Sequence, residues 1–171
     1  MNSRVSILMG SDSDLPVMAE AARILGRLDV DFELHVTSAH RSPQRTGEIV
    51  SGARGRGVKV FVVGAGAAAH LAGVVAAHTT LPVLGVPLAS SDLNGLDALL
   101  ATVQMPAGIP VGTLAIGKAG AANAAWMAAS ILALNDEKLA ARLAEERRAM
   151  ADGTARKSDQ AQQTLATLLK K

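Results

Sequence analysis

The 171-residue chain contains no cysteine and no tyrosine, and its only aromatic side chains are Phe32, Phe61 and Trp126. Without cysteine it has no disulfide, no thiolate nucleophile and no cysteine-based metal site, which favours a reducing compartment. So few aromatic rings also give no stacking surface for single-stranded nucleic acid. Hydroxyls, carboxylates, guanidinium groups, lysine amines and four histidines remain as the groups available for chemistry.

Net charge is low as well. Seventeen Lys and Arg residues oppose 15 Asp and Glu, giving +2 at neutral pH. Such a weak field does not attract nucleic acid or an anionic membrane surface. The first residues lack the long apolar run and cleavage site of a secretory signal. We therefore expect a cytoplasmic protein that binds neither nucleic acid nor membrane.

Three stretches contain no charged side chain: from Lys59 to Asp92, from Asp97 to Lys118, and from Lys118 to Asp136. Runs of this length are typical of membrane spans, but prolines and glycines cut these into strand-sized or alanine-rich pieces. We therefore expect a soluble chain with a buried centre. A domain this small leaves roughly a third of its unfolded surface wet. The shortage of charge thus predicts a homo-oligomer in which other copies cover part of that surface.

Hydrophobic periodicity predicts five strands separated by helices. The predicted strands are Val5–Met9, Asp31–Val36, Val58–Val63, Pro82–Val86 and Val111–Ile116. The second alternates polar and apolar residues, as an edge strand does. Strands that alternate with helices form parallel crossovers, so the fold class is α/β, a three-layer doubly wound parallel sheet. An edge second strand favours the flavodoxin-like order 2-1-3-4-5.

The helical part of the prediction sets the domain boundary. A helix is predicted over Ala67–Ala77, directly after the third strand, and a charged amphipathic helix over Asp136–Met150. Gly153 is predicted to break the latter, before a last helix over Ser158–Leu169. Residues 1–153 then form a single α/β catalytic domain, and residues 154–171 a C-terminal helical tail.

Ligands of open parallel sheets bind beyond the carboxyl ends of the strands. After the first strand come Ser11, Ser13 and Asp14, at the start of a helix whose free backbone N–H groups favour an anion. A helix cap needs only one such residue, so we predict a phosphate or ribose contact here. The loop matches neither GxGxxG nor GxxxxGK[ST], so dinucleotide or ATP binding is not indicated.

The loop after the second strand holds Ser38, His40 and Arg41. His40 can gain or lose a proton near neutral pH, and Arg41 can bind a phosphate through two hydrogen bonds. A lone histidine is often a surface or core residue, but its position between a hydroxyl and a guanidinium makes catalysis an equal alternative.

Small residues follow the third strand. Gly66 and Ala67 let a flat ligand approach the backbone closely. His70 then lies at a helix start, either as a neutral hydrogen-bond partner in the same pocket or as a packing residue. His35 and His78 are interpreted as structural. The spacing of the histidines is not typical of metal ligands.

Four segments together resemble one family: Gly10–Asp14, Ser38–Pro43, Gly64–Leu71 and Gln104–Ala115. In this order they are similar to the 5-(carboxyamino)imidazole ribonucleotide mutases, the PurE-type enzymes of purine biosynthesis. The resemblance covers about Val5 to Leu134. It implies a three-layer α/β homo-octamer without a cofactor.

The implied reaction converts 5-carboxyamino-1-(5-phosphoribosyl)imidazole into 5-amino-1-(5-phosphoribosyl)imidazole-4-carboxylate. By resemblance, His40 is the general acid and base, and Ser11, Asp14 and Arg41 bind the ribonucleotide. Ser13, Ser38 and His70 are then pocket neighbours, and Gly66 and Ala67 line the space for the ring. Two alternatives stay open: an aminoimidazole ribonucleotide carboxylase that uses free carbon dioxide, and a non-enzymatic nucleotide- or flavin-binding protein of flavodoxin-like fold.

Overall fold

A computed structural model describes residues 3–169, which divide into two compact units, one up to Leu132 and one from Ala133 onward. The first unit contains a five-stranded parallel sheet in the order β2-β1-β3-β4-β5, which confirms the predicted order. The strands are β1 (Val5–Met9), β2 (Phe32–Val36), β3 (Val60–Gly66), β4 (Val83–Leu88) and β5 (Gly112–Thr113). The helices are α1 (Leu15–Arg27), α2 (Pro43–Ser51), α3 (Leu71–His78), α4 (Leu96–Val103), α5 (Lys118–Ala133) and α6 (Glu137–Leu168).

Helices cover both faces of the sheet. Phe61, Val63 and Ala65 of β3 belong to a buried cluster with residues of α2 and α3. Side chains alternate along a strand, so Gly64 faces the other side. A Cβ on Gly64 would overlap the side chain of Met18, which is on α1. The absence of a side chain at Gly64 therefore lets α1 lie close to β3.

The edge strand β2 reverses the usual distribution of polarity. Glu33 and His35 pair in register with Ser6 and Leu8 of β1 and lie on the face covered by α2. The apolar side chains of Leu34 and Val36 point the other way, and they are 37% and 42% exposed. The alternation correctly predicts an edge strand, but here the polar face packs inward.

An ion pair makes that inward polar face possible. Glu33 accepts hydrogen bonds of 3.0 and 2.9 Å from Nε and Nη2 of Arg56, whose Nη2 also donates to the Ile49 carbonyl at 2.8 Å. Burial favours the neutral carboxyl of Glu33, but the hydrogen bonds and the charge of Arg56 outweigh it, so the pKa of Glu33 is lowered.

The bounds of β3 and β4 differ from the predicted ones by one to three residues, and two further elements are shorter than predicted. The helix expected from Ala67 begins only at Leu71, because Ala67 and Ala69 adopt positive φ angles of 51° and 26°, which a right-handed helix does not allow. The fifth strand contains only Gly112 and Thr113. Leu114 continues its pairing with a single hydrogen bond to the Gly85 carbonyl.

The second unit consists mainly of α6, which runs without interruption through Gly153. The predicted break at Gly153 is wrong. A helix-interior glycine costs only about 1 kcal/mol relative to alanine, and the alanine-, arginine- and glutamate-rich residues around it are strong helix formers. The Asp136 side chain caps the helix by accepting the Leu139 N–H. Within residues 3–169, no helix is long and apolar enough to cross a membrane.

We predict that Glu33→Gln destabilises the protein at neutral pH by about 1 kcal/mol, a modest value because Arg56 is partly exposed. Since the folded protein lowers the pKa of Glu33 below its ordinary 4.5, the stabilisation is complete above that pH and is lost as the pH falls through the folded value. Urea unfolding measures the free energy of unfolding of both proteins. The difference between the variant and the unsubstituted protein should be smaller at pH 3 than at pH 7. Glu48→Gln, an exposed change on α2, is the control, and an equal loss in both variants would contradict the prediction.

Candidate functional site

The register of the central strands brings three loops to one edge of the sheet. Met9, the last residue of β1, pairs with Val36 of β2 and with Gly64 of β3. Beyond the strands, Thr37 N–H donates to the Met9 carbonyl at 2.9 Å, and Gly10 N–H donates to the Gly64 carbonyl at 3.3 Å. The loops after β1, β2 and β3 therefore begin side by side, as binding at the carboxyl edge requires.

These loops surround a cavity of about 320 Å³. Its lining includes eight of the nine residues predicted from the sequence: Ser11, Ser13, Asp14, Ser38, His40, Arg41, Gly66 and His70. The ninth, Ala67, is exposed and does not line the cavity. It lies instead in the turn of positive φ that precedes His70.

The first loop forms a capping box around a short 3₁₀ turn at Asp12–Asp14. Ser11 N–H donates to Asp14 Oδ2 at 3.0 Å, and Ser13 N–H donates to Ser11 Oγ at 3.3 Å. Burial raises the pKa of Asp14, and the nearby charge of Asp12 adds to this, against the lowering effect of backbone hydrogen bonds from Ser11 and Gly10. Helix capping thus explains why Ser11 and Asp14 are polar. Both residues also line the cavity.

Two histidines from different loops meet at the cavity. His40 Nε2 lies 2.8 Å from His70 Nδ1, and the two rings are edge to face at 4.9 Å between centroids. One nitrogen must carry the hydrogen and the other a lone pair for this contact to form. The pair can therefore hold one proton between the rings. Within residues 3–169, no group of three or more histidine, aspartate or glutamate side chains is arranged to bind a metal ion.

Arg41 brings a positive charge to the first loop. Its Nη2 donates to the Gly10 carbonyl at 3.3 Å, across 31 positions of sequence. The guanidinium group is solvent-exposed and retains further N–H donors beside Ser11 and Ser13. A guanidinium next to the hydroxyls of a helix start is suited to binding a phosphate.

Ser90 is a lining residue that the sequence reasoning missed. It follows β4, and its Oγ occupies the space that a Cβ on Gly66 would need. The position of Ser90 therefore requires a residue without a side chain at Gly66. The position of Ser90 after a buried parallel strand is the signal that could have identified it.

A larger cavity, of about 890 Å³, lies at the amino ends of β4 and β5. Arg54 and His78 are among its lining residues, and none of the nine predicted residues is. Position decides between the two cavities, because parallel sheets bind ligands at the carboxyl ends of their strands. The smaller cavity is thus the candidate site.

Residues 4–153 match the model of a family described as AIR carboxylase. A Brucella melitensis protein named N5-carboxyaminoimidazole ribonucleotide mutase is 55% identical over 155 residues, which cover 91% of this chain and 96% of that protein. Proteins of the same name from Bacillus subtilis and Escherichia coli K12 are 52% and 53% identical, covering 94% and 88% of this chain and 99% and 89% of their own.

Solved structures show the same fold. Treponema denticola PurE superposes with a TM-score of 0.81 at 24% identity, over 90% of this chain and 95% of that one. A variant of Treponema denticola PurE2 superposes with a TM-score of 0.85 at 23% identity, over 94% of this chain and 98% of the other.

We predict that Arg41→Ala weakens binding of ribose 5-phosphate by about 10- to 100-fold, the loss expected for hydrogen bonds to a charged group. Isothermal titration calorimetry measures the affinity. Arg54→Ala, which removes an exposed guanidinium from the larger cavity, should leave it unchanged. Equal affinity of the Arg41 variant and the unsubstituted protein would remove Arg41 from phosphate binding.

Proposed function

This chain belongs to the AIR carboxylase family, and on that premise we propose that it is a mutase of de novo purine biosynthesis. It converts 5-carboxyamino-1-(5-phosphoribosyl)imidazole into 5-amino-1-(5-phosphoribosyl)imidazole-4-carboxylate. The names of relatives between 52% and 55% identical over most of the chain support this activity. The observation that carries the mechanism is the contact between His40 and His70 beside Arg41, in one cavity.

The phosphate end of the substrate binds where Arg41 meets the first loop. Arg41 supplies the charge, and Ser11 and Ser13 supply hydroxyls. Asp14 accepts hydrogen bonds from the ribose hydroxyls, and Ser38 also lines the cavity. Binding energy from this end of the substrate, remote from the reacting bond, fixes the ring against His40.

His40 moves one proton in each direction. Protonation of the exocyclic nitrogen by His40 breaks the bond from that nitrogen to the carboxyl carbon and releases carbon dioxide. The electron-rich C4 of the ring then attacks the carbon dioxide, forming the new bond. His40 removes the C4 proton, which restores aromaticity and returns the ring of His40 to its starting state. The same carboxylate leaves and returns, so the balance requires no oxidant and no group-carrying cofactor.

His70 limits the number of hydrogens that the two facing histidine nitrogens can carry. Because His70 Nδ1 lies 2.8 Å from His40 Nε2, a hydrogen on one of these nitrogens excludes a hydrogen on the other in the same contact. His70 thus keeps His40 Nε2 in a hydrogen bond, as donor or as acceptor, until the substrate replaces the contact. The small side chains of Ala65 and Ala69 leave room for a flat ring, and a narrow cavity keeps carbon dioxide near C4.

One alternative keeps the same site but changes the carbon source, since the family description names a carboxylase. Purified protein should be incubated with the carbamate, or with aminoimidazole ribonucleotide plus bicarbonate, and product formation followed. Conversion of the carbamate without added bicarbonate is expected. Synthesis that depends on bicarbonate, with no use of the carbamate, would overturn the mutase assignment. A flavin carrier is not favoured, because no Phe or Trp lines the cavity.

We predict that His40→Asn retains the fold and substrate binding but lowers kcat by about 100-fold or more, the range for a lost general acid and base. Steady-state kinetics measures kcat, and isothermal titration calorimetry measures substrate binding separately. His78→Asn, at the end of α3 and away from the cavity, is the matched control. Turnover near normal in the His40 variant would exclude the proton-transfer role.

We also propose a cytoplasmic homo-octamer. Leu96, Leu100 and Val103 form a stripe on one face of α4 and are 54%, 49% and 48% exposed. Leu34 and Val36 expose a second apolar patch on β2, at the opposite edge of the sheet from β5. Contiguous apolar surface of this kind marks protein interfaces, and two separate patches allow assembly beyond a dimer.

The assembly is tested by its mass. Light scattering should give about eight times the 17.5 kDa of one chain. Leu100→Lys should lower that mass, because it places a charge in the apolar stripe. Gly26→Lys on α1 adds the same charge where a side chain meets nothing within 4 Å, and it should keep the mass. A monomeric unsubstituted protein at micromolar concentration would refute the proposal.

A further inference from the structure

The loop that carries His40 and Arg41 is closed by a serine. Ser42 occupies the N-cap position of α2 but makes no side-chain cap bond to that helix. Its Oγ instead accepts the Ser38 N–H at 3.0 Å and donates to the Ser38 carbonyl at 3.2 Å. Ser42 N–H donates to the same carbonyl at 2.9 Å. Residues 38–42 thus form a closed turn with His40 at its tip.

Thr46, in the first turns of α2, lies beneath this closed turn. It is completely buried, which is unusual for a side chain with a hydroxyl. Its Oγ1 lies 3.2 Å from the Ser42 carbonyl and 2.8 Å from Thr37 Oγ1. Thr37 is the residue that enters the turn, and Ser42 is the residue that closes it. One hydroxyl therefore fastens both ends of the segment that presents His40.

One arrangement of the hydroxyl protons satisfies the whole network. When Thr46 donates to the Ser42 carbonyl, its oxygen accepts the proton of Thr37, whose Oγ1 lies 2.8 Å from Thr46 Oγ1 and 3.3 Å from Ser42 Oγ. Ser42 donates to the Ser38 carbonyl, so each of the three hydroxyl protons has one acceptor. Thr37 is itself fixed at the end of the sheet, because its N–H donates to the Met9 carbonyl. The network thus connects the rigid carboxyl edge of β1 to the turn.

We propose that Thr46 is a positioning residue for proton transfer by His40. It touches neither the cavity nor the reacting atoms, and it acts by holding the 38–42 turn at the distance from His70 that the reaction needs. This proposal rests on the function proposed above. Small displacements of a reacting group cost rate more than they cost ground-state binding. Loss of the Thr46 hydroxyl should therefore lower kcat with little change in KM.

A second buried threonine, Thr102, makes only the hydrogen bond that is common for threonine in helices. It allows the proposed positioning role of Thr46 to be distinguished from that common interaction. Thr102 is 2% exposed and donates to the Ala98 carbonyl at 2.7 Å, one turn earlier in α4. A threonine bonded to the carbonyl four residues back is common in helices. Thr46 makes that bond as well, but it also binds Thr37 on another segment. Thr102→Val therefore removes the common interaction alone and serves as the matched control.

The test compares Thr46→Val, Thr46→Ser and Thr102→Val. Valine keeps the shape of threonine but removes the hydroxyl, and serine keeps the hydroxyl. We expect Thr46→Val to lower kcat by about 10- to 100-fold with KM nearly constant, Thr46→Ser to restore most of kcat, and Thr102→Val to leave kcat unchanged. A normal kcat in Thr46→Val, an equal fall in Thr102→Val, or no rescue by serine would each overturn the proposal.

A second measurement needs no substrate. Hydrogen exchange of the Ser38 and Ser42 amides reports the closed turn directly, since both donate within it. Exchange should be about 10-fold faster in Thr46→Val and unchanged in Thr102→Val. If the unsubstituted protein does not convert the carbamate, the proposed function fails, and equal exchange in all variants overturns the positioning role separately. If Thr46→Val does not fold, Thr37→Val removes the same hydroxyl contact and must give the same kinetic and exchange results.

Discussion

The parallel pairing of β1 between β2 and β3 is the constraint on which the cavity depends. It ends at Met9, which aligns with Val36 on one side and Gly64 on the other. Three loops far apart in sequence therefore leave the sheet at the same level. The contact between His40 and His70 spans 30 positions and exists because these strands are neighbours with this register. A shift of one residue in either pairing would turn every side chain of that strand to the other face.

The sequence predicted much of this arrangement because it depends on local patterns. Short apolar strands with helices between them specify the sheet order, and an excess of polar residues after a strand identifies a loop with a role. Eight of the nine predicted residues lie on one cavity, although each was assigned from its own loop. The rule that parallel sheets bind ligands at the carboxyl ends of strands supplied the connection between the loops.

Two of the differences between prediction and structure depend on a partner distant in sequence, and two depend on the local backbone. Glu33 and His35 face inward because Arg56, 23 positions after Glu33, satisfies the carboxylate. Ser90 reaches the cavity because Gly66 on the neighbouring strand leaves it space. Gly153 was expected to end a helix from its own propensity, but its helix-forming neighbours outweigh that preference. Ala67 takes a conformation that alanine disfavours, and no local pattern announces it.

Gly64 influences the geometry of the cavity although it does not line it. The thioether of Met18 fills the place of the missing side chain, and Gly64 also supplies the carbonyl that binds Gly10 N–H. One residue in the middle of the sheet thus sets both the depth of α1 and the origin of the loop that precedes it. Any larger residue at that position would push the helix outward and carry the anion-binding end of the cavity with it. Substitution of Gly64 should therefore lower activity although this residue does not line the cavity.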